Sequence, residues 1–284
     1  MENINTLKAN LSAIGNAIRA KLAVENKYRI EDMPAAINSI STSVEPFIVN
    51  GVLLASSFSE FAPHTDWDKL NSLIDYENAY ELPSMFGRRK DLTIREVEEF
   101  LSHRMPNVRN IRELASYANF IDSDIETHII DLTLDSPNCN DYLNLFARNS
   151  NICHLKLTIT EHNADFSLGW AFIQCNLLQD IEIKGPGLNH AIALTSLCYE
   201  CTNLKTATIG DDNTDYSKIG STDSMFTGCS NLETLTIKGV NILPLSSTES
   251  IPSTIQSIKV PAALVDTYKN ATNWANFANK ISAI

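Results

Sequence analysis

"MFTGCSNLETLTI" runs from Met225 to Ile237. Its apolar residues Phe226, Cys229, Leu232 and Leu235 recur at every third position, and the last three residues, Leu235-Thr236-Ile237, alternate apolar and polar. Spacing by three suits a turn that keeps one side inward. Alternation suits a short strand with one buried face. A metal or redox reading rests on Cys229 alone, whereas a repeat reading requires the same frame elsewhere in the chain.

The frame does recur. Phe226 to Ile237 aligns with Cys198 to Ile209, with Phe172 to Ile183 and with Phe146 to Leu157; the offsets are 226 − 198 = 28, 198 − 172 = 26 and 172 − 146 = 26. A further strand, Leu132-Thr133-Leu134, precedes these at 155 − 132 = 23, and Ile255 to Val260 follows at 258 − 235 = 23. Periods of about 20 to 29 residues with an L-x-x-L-x-L core mark a leucine-rich repeat solenoid. One repeat cannot bury its apolar face alone, and stacking its neighbours does so. The spacing therefore predicts an α/β fold in which Leu132, Leu155, Ile181, Ala207, Leu235 and Ile258 form one row. Cys175, Cys201 and Cys229 share a frame position that Asn149 takes in the first copy, which predicts small buried residues rather than reactive thiols. Asn151, Asn203 and Asn231 share another, where a side chain can cap local backbone groups.

The pattern Met-Phe-x-x-Cys-x-x-Leu-x-x-Leu-x-Ile resembles the BspA-type leucine-rich repeat over about residues 115–260. Upstream, "SMFGRRKDL" keeps Met85, Phe86 and Leu92 at the same spacing, and "REVEEFLSHRM" reads as a charged helix. At the N-terminus, Ile4, Leu7, Leu11, Ile14 and Ile18 are spaced 3, 4, 3 and 4, an apolar stripe suited to attachment or oligomerisation through a coiled-coil-like seam. Ile30, Met33, Ile37 and Ile40 suggest a second short helix. This block resembles the N-terminal segment of tail and baseplate-associated proteins of Firmicutes phages and prophages. At the other end, Pro261 is placed to open a helix, and Ala263, Leu264, Tyr268, Trp274 and Phe277 would cover the end of the repeats. The organisation so read is a helical attachment segment at 1–42, a mixed segment at 43–114, the solenoid at 115–260 and a C-terminal helical cap at 261–284.

The formal net charge of −12 argues against a general nucleic-acid binder, which needs clustered Lys and Arg. The one basic run, Arg88-Arg89-Lys90, is short. No run of about 18 apolar residues predicts a membrane span, and the polar first 21 residues carry no signal-peptide core. Six cysteines in a chain of 284 residues do not suggest a disulfide framework, and the isolated pair Cys198/Cys201 lacks a second pair at zinc-ribbon spacing. His64, His103, His128, His154, His162 and His190 are scattered, and no nucleophile, phosphate-loop or dinucleotide motif occurs. Asp211, Asp212 and Asp215 read as a solvated loop, since their spacing fits no EF-hand.

The expectation is accordingly a non-enzyme without cofactor or metal. The two resemblances imply a structural or adhesion protein of a phage virion: a tail, baseplate or fibre component made in the host cytoplasm. Its partners would be other virion proteins, a host cell-surface protein or a glycan, and further copies of itself. The alternative is a bacterial cell-surface or secreted leucine-rich repeat interaction protein. The candidate binding residues point outward from the strands in two columns. One holds Thr133, Lys156, Glu182, Thr208, Thr236 and Lys259; the other holds His154, Asp180, Thr206 and Thr234.

Overall fold

A computed structural model describes residues 92–284 continuously, together with 48–49, 52–53, 76–77, 79, 82, 85–87 and 90. The chain divides at Glu45/Pro46, and only the second unit, Pro46–Ile284, is treated below. The attachment stripe from Ile4 to Ile18, the second predicted helix, Trp67, Tyr80 and the pair Arg88-Arg89 lie outside the described residues.

Strands β1 (Ile48–Val49) and β2 (Val52–Leu53) form a small antiparallel pair. Helix α1 (Ile94–Ser102) begins at a capping box: Thr93 accepts from the Glu96 N–H, and the Glu96 carboxylate accepts from the Thr93 N–H at 2.6 Å. Ile94, Val97, Phe100 and Leu101 fall on the buried side of the helix. Then come β3 (Ile129–Leu134), β4 (His154–Ile159), β5 (Phe166–Ser167), β6 (Asp180–Lys184), β7 (Ala191–Ala193), β8 (Thr206–Ile209), β9 (Thr234–Ile237) and β10 (Ser257–Val260). A short helix α2 (Val265–Asn270) and strand β11 (Ile281–Ala283) end the chain.

Seven strands make one sheet in the order β11-β10-β9-β8-β6-β4-β3. Every neighbouring pair in it is parallel. Each strand alternates outward and buried residues, so the sheet has one dry face. A second, thinner layer is built from turns. Its β5 and β7 pair in parallel, and isolated bridges link Asn110 to Asp141, Asp141 to Ser167 and Ala193 to Ser221. Main-chain bonds tie each turn to the next. The N–H of Phe146 donates to Ala171 O at 2.7 Å, that of Phe172 to Leu197 O at 2.9 Å, and that of Cys198 to Met225 O at 2.9 Å. Paired left-handed residues recur four apart in these turns: Glu113/Tyr117, Asn144/Arg148, Trp170/Gln174, Ser196/Glu200 and Ser224/Gly228. Inward strand residues and turn residues such as Phe146, Phe172 and Phe226 join one continuous apolar cluster.

This corrects the predicted fold. A leucine-rich repeat solenoid with helical ends is replaced by a mostly parallel seven-stranded sheet with few helices. The sequence period counts residues per strand-and-turn unit, but says neither what fills the connections nor what closes the ends. The connections here are turns and short 3-10 segments. The expected C-terminal helical cap is three short helical pieces followed by β11, which pairs with β10 through Ile258↔Ile281. Tyr268 and Trp274 do pack inward, ring edge to ring face at 5.3 Å. The predicted row is corrected at its first member: Ile130, not Leu132, faces Leu155, and Leu132 faces Leu157. From Leu155 the row continues through Ile181, Ala207, Leu235 and Ile258 to Ile281.

The shared cysteine position has a structural explanation. The thiol of Cys175 donates to Phe146 O at 3.1 Å, that of Cys201 to Phe172 O at 2.9 Å, and that of Cys229 to Cys198 O at 2.9 Å. Each satisfies a carbonyl of the preceding copy, and all six cysteines are free and buried. The shared asparagines also reach the preceding copy rather than capping locally. Their amides donate to Phe120 O, Asn176 O and Thr202 O from Asn151, Asn203 and Asn231 at 2.6, 2.6 and 2.8 Å.

Candidate functional site

The outward face of the sheet collects nearly all the residues singled out from the sequence. Pairing aligns Lys156, Glu182, Thr208, Thr236 and Lys259 across five successive strands. Beside them run His154, Asp180, Thr206 and Thr234. Thr133 is the exception: it faces Thr158, two residues further along, and Asp131 takes the place beside Lys156. Sequence reasoning also missed Ser257 and Ser282, which extend the two columns. Only the backbone register reveals these, because alternation alone fixes the face and not the pairing.

The strand residues on this face are polar save for Ile129, which is exposed on β3 opposite His154, and none is Phe, Tyr or Trp. His154 Nδ1 donates to Asp180 Oδ2 at 2.5 Å across adjacent strands, Lys184 Nζ lies 3.1 Å from Glu182 Oε1, and Lys259 Nζ donates to Ser282 Oγ at 3.0 Å. Partly exposed pairs of this kind contribute about 0–1 kcal/mol each, so they pattern the surface more than they hold the fold. Lys156 forms no ion pair among the described residues. At the β3 end, Glu98 of α1 accepts from the Asp131 N–H at 3.2 Å and from His128 Nε2 at 2.9 Å, which covers the sheet edge.

The titratable groups inside the second layer are bonded within it. Tyr142 Oη donates to His162 Nε2 at 2.8 Å, and His162 Nδ1 donates to Thr160 O at 3.1 Å. Burial lowers the His162 pKa and raises that of Tyr142 well above its ordinary value. Burial also pushes the Cys139 thiol up to about 12 and raises those of Cys175, Cys198 and Cys229, which keeps them from acting as thiolates at neutral pH. The Asp211 carboxylate accepts from the N–H groups of Asn213 at 2.9 Å and Gly185 at 3.1 Å, so it organises turns. Among the described residues, no three His, Cys, Asp or Glu side chains are grouped to hold a metal ion. No described helix is long and apolar enough to cross a membrane.

No family model matches the chain, and no curated protein matches it.

Proposed function

We propose that this chain is a non-catalytic structural and adhesion protein of a phage virion, a component of its tail, baseplate or fibre. Residues 1–42 attach it to other virion proteins or to further copies of itself, and the outward face of the sheet holds a protein partner. The observation that supports the binding role is the alignment of polar columns across β4, β6, β8, β9 and β10, with a Lys156 ammonium beside Glu182 that forms no ion pair among the described residues. A rigid sheet keeps these groups at fixed spacings of about 4.8 Å, which favours a specific protein surface. The virion assignment rests on the resemblance of the N-terminal block to tail-associated segments.

A second reading, a bacterial cell-surface or secreted interaction protein, is favoured by the resemblance of the repeated frame to surface-type repeats. Mass spectrometry of purified particles, with antibody-gold electron microscopy against residues 92–284, separates the two. The virion reading predicts the chain at fixed copy number on the tail. Recovery from cell envelopes or medium but not from particles would support the second.

A further inference from the structure

We draw no further inference here: the strongest candidate, the surface patch on the turn layer where the half-exposed Trp170 shares a turn with Gln174 of the bonded row Tyr117, Arg148, Gln174 and Glu200, carries nothing because no observation in the structure shows what covers it.

Discussion

Leu235 is the most informative single residue in the sheet. It sits in β9 with no exposed surface, between Ala207 of β8 and Ile258 of β10 in the inward row. Replacing it by Ala removes three carbons, about 2.4 kcal/mol of transfer free energy at about 0.8 kcal/mol each. A cavity adds to that, because the neighbouring side chain on one side is already a methyl group and cannot expand to fill the gap. The expected loss is about 3–4 kcal/mol, read from urea unfolding followed by far-ultraviolet circular dichroism. Thr236→Ala, one residue on and facing outward, is the control and should cost about 0.5 kcal/mol or less. A loss below about 1 kcal/mol for Leu235→Ala, or equal losses for the two variants, would refute the inward row and the dry face of the sheet.

Three other outcomes are expected. Burial lowers the folded-state pKa of His162, so as pH falls through the ordinary imidazole value near 6.5, the unfolded chain takes up a proton that the folded chain refuses. The stability this group contributes is present above that pH and lost below it; His162→Gln should flatten the unfolding profile between about pH 6.5 and 5, and an unchanged slope would exclude His162 as the cause. Cys175, Cys201 and Cys229 should resist a thiol reagent under native conditions and react together on unfolding, since each is buried and donates to a main-chain carbonyl; rapid native labelling of all three would contradict that burial. A chain lacking residues 1–40 should keep the circular dichroism and unfolding midpoint of the sheet while losing self-association or particle incorporation; normal assembly would remove the N-terminal block as the anchor.

The strands were legible where a frame repeats. In β4, β6, β8 and β9 the alternation of apolar and polar residues, anchored by the preceding Asn or Cys, locates both the buried face and the neighbours, and β10 follows by alternation and spacing alone. β3 alternates for six residues, Ile130-Asp131-Leu132-Thr133-Leu134 following Ile129, and any inward residue of such a run can open the row. Its register is chosen by main-chain pairing, which places Ile130 opposite Leu155 and moves Thr133 out of the predicted column. β11 was hidden for a different reason. Ile281 is the only buried residue of a three-residue strand and follows aromatic residues spaced like a helix face, so pairing with β10 overrides the local pattern. In the turn layer the recurring Phe146, Phe172 and Phe226 mark the repeat, but the main-chain bonds between turns that they make are not encoded by side-chain type. Of its left-handed positions, Asn144 and Gly228 carry residues suited to positive φ, and Trp170 and Tyr117 give no warning. The outward face of the strands was readable from their alternation, whereas the segments that meet around Gly228 at the end of the turn layer are distant in sequence and were not.

The claim that the outward face of the sheet carries the partner is tested most directly by reversing its central charges. Lys156 and Glu182 are paired neighbours on β4 and β6, and the variant Lys156→Glu/Glu182→Lys keeps net charge and fold while inverting the pattern a partner would meet. Adsorption of particles carrying the variant to host cells, or pull-down of the partner by the purified chain, is expected to weaken at least about tenfold. The unfolding midpoint should stay within the range of ordinary surface substitutions. Binding equal to the parent's, in a variant that unfolds like the parent, would contradict the account.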